Sequence, residues 1–223
     1  MQDPEFVHGA FAKIAGRYVV TNHVLSLGID ILWRKEVAKI VAGYHPESVL
    51  DLATGSGDLA EAVAHASPDA RVVGADFCEP MLEEARRKGL PELVVADGTD
   101  LFFDTDSFDA LTVGFGLRNM SCWPTALKEM RRVVRPGGPV VVLDFSIPKP
   151  PLSVFYRSYL HNVMPRVAGV LTGQREAYQY LSGSIEKFPS GDAMLELFAD
   201  CGLRDAYHRP LSGGIAAIYV GIA

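Results

Sequence analysis

The segment V-L-D-L-A-T-G-S-G-D-L at residues 49–59 decides the fold. Its apolar start predicts a buried strand, and apolar residues resume at helical spacing from Leu59 onward. Glycines at positions 55 and 57 permit a tight turn and allow a ligand to approach the backbone closely. A strand, a glycine turn and a helix in this order indicate a parallel sheet that binds a ligand at the ends of its strands.

Strands and helices alternate along the rest of the chain. Apolar runs predict seven strands, at Ser48 to Leu52, Arg71 to Ala75, Leu93 to Ala96, Ala110 to Val113, Val140 to Phe145, Leu203 to His208 and Ala216 to Ile222. Helical spacing after Leu59 is repeated at Glu79 to Lys88, Pro124 to Val134 and Asp192 to Cys201. This alternation predicts an α/β fold with a doubly wound, mostly parallel sheet and helices on both faces.

Two helical segments lie outside the alternation. One is an N-terminal arm over residues 6–45, and the other is an aromatic-rich insertion over residues 152–188, after the fifth strand. Both are long enough to cover the ligand end of the sheet. We expect one domain over residues 1–223, since the sequence contains no repeat, low-complexity tract or linker.

The charge and the cysteines exclude several classes of function. The formal net charge of −6 disfavours nucleic acid as a partner and a polybasic membrane anchor. The three cysteines, Cys78, Cys122 and Cys201, form no CxxC motif, which favours a reducing, cytoplasmic compartment and gives no zinc or other metal site. The first residues, M-Q-D-P-E-F, lack the basic and apolar regions of a signal peptide, and we expect no membrane span.

Acidic residues stand where the strands end. Asp51 lies at the end of the first strand, where a carboxylate can face an amine; Asp76 ends the second strand and can accept both hydroxyls of a ribose. Two ligands fit an acid at Asp76. A dinucleotide such as NAD would bring its pyrophosphate against Asp58, whereas S-adenosylmethionine has no phosphate and carries a sulfonium and an ammonium. We therefore favour S-adenosylmethionine, the alternative being that Asp51 and Asp58 are a strand-end cap and a first-turn helix acid.

Longer motifs then point to a family. F-G-L-R-N at residues 115–119, H-N-V-M-P-R at 161–166 and Y-x-Y-L-x-x-S-I-x-x-F-P at 178–189 are accompanied by two partly matched signatures. The matching residues are Tyr18, Asn22, Leu25, Ser26 and Trp33 in the first signature, and Arg132, Val133, Arg135, Pro136, Gly137, Gly138 and Ser146 in the second. On these residues the chain resembles, from about Phe6 to Ala223, the UbiE/COQ5/MenG family of class I methyltransferases, which methylate a quinol ring carbon in menaquinone and ubiquinone biosynthesis.

The resemblance implies a seven-stranded, Rossmann-like sheet with an antiparallel last strand. That agrees with a hairpin around Gly213 and Gly214 in the strand pattern. It also implies S-adenosylmethionine as the cofactor. The residues expected to bind it are Asp51, Gly55, Ser56, Gly57, Asp76, Phe77, Asp97, Gly98 and Gly114.

Methylation of an aromatic carbon requires an electron-rich ring in line with the methyl group and a route for the departing proton. The catalytic candidates are Arg118, Asn119 and Asp144, and the substrate candidates are Tyr156, His161 and Tyr178. Arg118 could hold a phenolate, and Asn119 could bond the quinol oxygen. The alternatives are that Arg118 and Asn119 cap a helix or pair with Asp144, that His161 is packed or faces solvent, and that the tyrosines are core.

The chain also departs from the family pattern. Val19, Thr21, Asp30 and Gly114 stand where relatives carry aspartate, methionine, histidine and serine, and Asp144 replaces a glutamate. The expected partner is a prenylated quinol, met by peripheral contact with the inner face of a membrane; a homodimer is a further expectation. Another small aromatic acceptor, or a relative that binds the cofactor without catalysis, remains an alternative. The absence of N-P-P-[YF] and of Y-x-x-x-K disfavours a nucleic-acid methyltransferase and an NAD-dependent oxidoreductase.

Overall fold

A computed structural model describes residues 9, 26, 28–90, 92–164, 166 and 182–223. The strands in this part of the chain are β1 (Ser48–Leu52), β2 (Arg71–Asp76), β3 (Glu92–Val95), β4 (Ala110–Gly114), β5 (Pro139–Phe145), β6 (Arg204–Leu211) and β7 (Ala216–Ile222). The α-helices are α1 (Ile29–Ala42), α2 (Asp58–Ala66), α3 (Glu79–Arg87), α4 (Trp123–Val133), α5 (Leu152–Ser158) and α6 (Asp192–Asp200). Short helical turns lie at Leu117–Asn119, Tyr159–Val163 and Ser212–Gly214.

All seven strands join one sheet, in the order β3-β2-β1-β4-β5-β7-β6. Strand β7 runs antiparallel to both of its neighbours, whereas the other pairings are parallel. The predicted doubly wound sheet with an antiparallel last strand is therefore confirmed. The chain moves outward from β1 to β3 on one side and from β4 onward on the other, so the carboxyl ends of β1 and β4 form a crevice where such sheets bind ligands.

The sheet is buried on both faces because its central strands are apolar almost throughout. Alternate residues point to opposite sides: Leu50 and Leu52 join a cluster with α4 and α6, whereas Val49 joins a cluster with α1 and α2. The same alternation divides β5, whose Val140 and Val142 face one cluster and whose Val141 and Leu143 face the other. This double burial holds the strand ends in place.

Helix α1 is the described end of the predicted N-terminal arm. It packs against α2 and β5, and the Trp33 indole Nε1–H donates a hydrogen bond of 3.0 Å to Ser212 Oγ in the β6–β7 turn. Tyr18, Val19, Thr21, Asn22 and Leu25, which carried part of the sequence argument, lie outside the described residues. The contacts of α1 fix which of its side chains face the crevice.

Helix α5 and the turn Tyr159–Val163 begin the predicted insertion. Their inner side chains, Tyr156, Leu160 and Met164, pack with Ile185 against Phe145 and Ile147 at and beyond the end of β5. Tyr178 lies outside the described residues. Of the helices that the structure describes, none is long and apolar enough to cross a membrane.

Candidate active site

A cavity opens at the carboxyl ends of the central strands, in the crevice between β1 and β4. It is lined by eight of the nine residues predicted to bind the cofactor: Asp51, Gly55, Ser56, Asp76, Phe77, Asp97, Gly98 and Gly114. Asn119 lines it too, together with residues for which the sequence analysis proposed no binding role, among them Arg34, Thr54, Met81, Phe115 and Met120. The structure thus brings together residues that are up to 87 positions apart in sequence, the extremes being Arg34 and Ser121.

Gly57 is the predicted cofactor residue that does not line the cavity. It precedes α2 with a φ of +80°, and a Cβ there would lie 2.1 Å from Leu90 Cδ1 and 3.2 Å from Ala85 Cβ. Only glycine meets both conditions without strain. Gly57 therefore serves the turn and its packing against α3, whereas its neighbours Ser56 and Asp58 line the cavity.

Asp76 is held rigidly at the end of β2. Its Oδ2 accepts a hydrogen bond of 2.8 Å from the Gly55 backbone N–H, and its Oδ1 accepts one of 2.9 Å from the Cys78 N–H. A carboxylate can accept several hydrogen bonds, and the Asp76 side chain lines the cavity, where hydroxyl donors of a ligand can reach it. The geometry fits the predicted role of Asp76 as acceptor for the two hydroxyls of a ribose.

Asp51 is fully buried at the wall of the cavity. Its two oxygens accept hydrogen bonds of 2.6 Å from Thr54 Oγ1 and from Thr112 Oγ1. Burial raises the pKa of Asp51 to about 6, against the opposing effect of the two threonine hydroxyls. A cation placed beside Asp51 would favour its ionised form, which suits the predicted contact with an ammonium group.

The charges around the cavity favour a cationic ligand without phosphate. Carboxylates of Asp51, Asp58, Asp76 and Asp97 line it, and Arg34 is the sole lysine or arginine among the described lining residues. Burial raises the pKa of Asp58, but hydrogen bonds from Lys88 and Ser56 and the charge of Arg34 outweigh this and lower it below its usual value. Asp58 therefore stays ionised where a pyrophosphate would approach, as the argument against a dinucleotide requires.

Arg118 and Asp144 form a buried ion pair beside the cavity and do not line it. Arg118 Nη1 lies 2.7 Å from Asp144 Oδ1 and also donates 2.6 Å to the Phe115 carbonyl oxygen, and Arg118 is only 3% exposed. Burial raises the pKa of Asp144, although the charge and hydrogen bonds of Arg118 oppose it. The pairing that the sequence analysis gave as an alternative is present.

Asn119 is the catalytic candidate that reaches the cavity. Its Nδ2 donates a hydrogen bond of 3.3 Å to the Phe115 carbonyl oxygen, while its Oδ1 is buried without a hydrogen-bond partner in the part of the chain that the structure describes. A buried amide oxygen without a partner is costly. A hydrogen-bond donor on a bound molecule would therefore find an acceptor at this oxygen.

The two described substrate candidates differ. The buried Tyr156 ring stacks on Tyr159 with centroids 6.4 Å apart; burial and then Tyr159 raise the pKa of Tyr156, and the charge of Arg118 opposes them. His161 is half exposed, with Nε2 3.1 Å from Glu186 Oε1, so it faces solvent as the alternative held. Tyr156 is therefore the candidate within reach of the Arg118 charge.

A run of aromatic rings connects the cavity to α5. Phe115, which lines the cavity, lies 4.7 Å from the Phe145 ring centroid and 6.1 Å from Trp33, and the Arg118 guanidinium lies 5.2 Å from the centroid of Phe145. Phe145 in turn contacts the cluster under α5. The aromatic rings thus lie between the cofactor cavity and the side chains packed beneath α5.

The sequence analysis assigned no role to three residues of this site, Thr54, Thr112 and Arg34. Thr54 carried a usable signal, a hydroxyl three residues after a strand-end aspartate inside a glycine loop. Thr112 and Arg34 carried none, because their positions depend on strand pairing and on how α1 packs.

The sheet order, the antiparallel last strand and this cavity define a class I methyltransferase. A solved methyltransferase of Thermotoga maritima, described as S-adenosylmethionine-dependent, matches 96% of this chain and 98% of its own with a TM-score of 0.69 at 16% identity. A phosphoethanolamine N-methyltransferase of Haemonchus contortus, solved with S-adenosylmethionine, matches 79% of this chain and 48% of its own with a TM-score of 0.59 at 14% identity. At such identities the likeness concerns the fold.

The sequence profile of the ubiE/COQ5 methyltransferase family matches residues 1–223, and the chain belongs to that family. A demethylmenaquinone methyltransferase of Thermus thermophilus is 43% identical over 219 residues, covering 95% of this chain and 98% of the relative. The ubiquinone/menaquinone biosynthesis C-methyltransferase UbiE of Bdellovibrio bacteriovorus is 41% identical, covering 98% and 96%. The predicted family and its cofactor, S-adenosylmethionine, are confirmed.

Proposed function

We propose that this protein transfers the methyl group of S-adenosylmethionine to a ring carbon of a prenylated quinol, with demethylmenaquinol as the first candidate. One observation carries the proposal: F-G-L-R-N lies between the cofactor cavity and the side chains packed beneath α5. Its Phe115 and Asn119 line the cofactor cavity, and its Arg118 lies behind them with Asp144, toward Tyr156 beneath α5. The named acceptors of the relatives supply the substrate class.

The bound cofactor supplies an electrophilic methyl group. In the proposal, Asp76 holds the ribose, Asp51 faces the ammonium, and Ser56, Asp97 and Gly98 complete the cofactor contacts. These residues fix the methyl group in place, which is the positioning that an in-line transfer needs.

Arg118 would make the ring carbon nucleophilic by stabilising the phenolate form of the quinol, whose hydroxyl proton passes to solvent water. When the carbon–methyl bond forms and the sulfur–methyl bond breaks, the proton on that ring carbon also passes to solvent water, which restores the aromatic ring. Burial raises the pKa of the nearby Tyr156 phenol, and the positive charge of Arg118 opposes that rise. A quinol hydroxyl at a similar distance would be favoured in its ionised form in the same way. Asn119 would accept a hydrogen bond from a quinol hydroxyl through its amide oxygen, which has no partner among the described residues. Asp144 holds Arg118 in position through their ion pair.

The outer face of α5 is proposed as the route by which the quinol arrives. Val154 and Phe155 are 68% and 71% exposed there, on the helix whose inner side covers the aromatic wall. Exposed apolar side chains on this helix suit contact with the bilayer in which a prenylated quinol resides. Cytoplasmic placement follows from the cysteine argument and, like the homodimer, stays a prediction.

The test of the acceptor uses labelled S-adenosylmethionine with four acceptor conditions. They are demethylmenaquinol in phospholipid vesicles, a demethylated ubiquinol precursor, a water-soluble phenol, and no acceptor. We expect label in one of the prenylated quinols and none in the last condition. Transfer to the soluble phenol but to neither quinol would contradict the proposal and favour another aromatic acceptor.

The test of the α5 face compares two exposed phenylalanines. Phe155→Ser should reduce co-sedimentation with anionic vesicles, whereas Phe102→Ser, at a site 65% exposed in the loop after β3, should leave it unchanged. Equal loss in both variants, or no loss in Phe155→Ser, would contradict the proposed membrane face.

A further inference from the structure

Arg34 is a basic residue in an acidic cavity. It lies on α1 and lines the cofactor cavity, where it is the sole lysine or arginine among the lining residues that the structure describes. Its side chain is 11% exposed, so its charge is largely withdrawn from solvent. Withdrawing a guanidinium from water is costly unless an anion compensates it.

The contacts of Arg34 leave part of its hydrogen-bonding capacity unused. Nη1 pairs with Asp30 one turn earlier on α1, and the guanidinium carbon lies 5.6 Å from the centroid of the Phe115 ring. The guanidinium has five N–H donors, and the structure shows no other side-chain hydrogen bond from Arg34 to any described residue. Donors therefore remain at a cavity wall.

The carboxylates nearest to this charge are already engaged. Arg34 acts on both Asp51 and Asp58 through its charge, yet Asp51 is bonded by two threonine hydroxyls and Asp58 by Ser56 and Lys88. Arg34 thus lies in a carboxylate-rich cavity with Asp30 as its single described ion-pair partner. An anionic group on a bound molecule would complete its bonding.

The position of Arg34 along the cavity indicates which part of the cofactor it meets. Asp76 and Asp97 follow β2 and β3, whereas Arg34 lies over Phe115 at the end of β4. Strands β3 and β4 are three strand spacings apart in the sheet, or ~14 Å. With the adenosine part on the β2 and β3 side, the amino-acid part points toward β4 and Arg34.

We propose that Arg34 binds the α-carboxylate of the methionine part of S-adenosylmethionine, with Asp30 as the positioning residue that holds it. This inference rests on the cofactor of the proposed function and not on its acceptor. Asp30 is buried and also accepts a hydrogen bond of 2.6 Å from Ser26 Oγ, so the pair is anchored at the start of α1.

The experiment measures binding by calorimetry with two ligands that differ in one group. S-adenosylmethionine has the carboxylate, and decarboxylated S-adenosylmethionine lacks it. Arg34→Met should weaken binding of the first ~10- to 100-fold, the scale of a lost charged hydrogen bond, and leave binding of the second nearly unchanged. Arg34→Lys should recover part of the affinity, because an ammonium keeps the charge without the planar fork.

Two further variants control for structural damage. Lys35→Met removes an exposed charge from the adjacent position of α1 and should bind both ligands as the unmodified protein does. Asp30→Asn/Arg34→Met removes both charges, so no buried carboxylate is left alone, and it should show the same ligand-selective loss. Equal loss for both ligands, or unchanged affinity for S-adenosylmethionine, would overturn the role of Arg34. An unmodified protein that binds neither ligand would instead overturn the proposed function.

Discussion

Asp76→Ala is expected to remove most of the affinity for S-adenosylmethionine. The carboxylate is 6% exposed and held by two backbone donors, so it meets the ribose without reorganising. Each charged hydrogen bond contributes about 1.5–3 kcal/mol. Allowing for non-additivity, the loss of two should cost about 2–4 kcal/mol of binding free energy, or roughly 30- to 1,000-fold in Kd.

The substitution also touches the fold, so stability must be measured alongside binding. The N–H groups of Gly55 and Cys78 lose their acceptor, which should lower the free energy of unfolding by about 1–3 kcal/mol. Urea unfolding measures that cost, and calorimetry below the transition measures binding. Asp69→Ala, in the exposed turn just before the same strand, is the matched control and should change neither. A folded Asp76→Ala protein with unchanged affinity would refute the assignment of the ribose site.

Three more outcomes are expected. Because burial raises the pKa of Asp51 from 3.8 to about 6, the folded protein binds this proton more tightly, and stability falls as pH rises from 4 to 6. Relative to Asp51→Asn, urea unfolding should show a loss of about 2 kcal/mol across that window, and parallel curves would contradict it. Arg118→Ala removes the ion-pair partner of the buried Asp144 and should lower the free energy of unfolding by about 3–5 kcal/mol. The double variant Arg118→Ala/Asp144→Asn should fold and bind S-adenosylmethionine but turn over ~100-fold more slowly. Normal turnover of the double variant would show that the pair has only a structural role. Gly138→Ala places a Cβ 2.3 Å from a backbone carbonyl oxygen and should lower the free energy of unfolding by about 3 kcal/mol. Gly137→Ala, at φ +91° in open space, should lower it by only roughly 1–2 kcal/mol. Thermal unfolding measures this ranking, and the reverse order would disprove it.

The strands were predictable because a strand that is buried on both faces of the sheet appears in the sequence as a run of apolar residues. β1 and β7 begin and end where the apolar runs do, and the other boundaries shift by up to three residues, the largest being Leu203 to His208 against the observed Arg204–Leu211. The doubly wound arrangement followed from connection rules, and the antiparallel last strand followed from the family resemblance. The glycine loop and Asp76 were predictable for the same reason: a strand-to-helix turn fixes the place of its own residues.

The rest of the site depends on contacts between distant segments. The Arg118–Asp144 pair joins residues 26 apart, and the sequence analysis could only give that pairing as an alternative to catalysis. The position of Arg34 depends on the packing of α1 against α2 and β5, which no local pattern encodes. Gly57 was assigned to the cofactor because its motif contains it, whereas its side of the loop faces Leu90.

The aromatic wall also gives the protein an optical probe of its own. The chain has two tryptophans: Trp33 lies in ring contact with Phe115 of the cavity wall, and Trp123 packs edge-on against Phe188 in a different cluster. A Trp123→Phe protein would keep a single indole, buried, hydrogen-bonded and next to Phe115 of the cavity wall. Its fluorescence emission should then follow cofactor occupancy directly, so that titrations and rapid-mixing measurements need neither a label nor the acceptor.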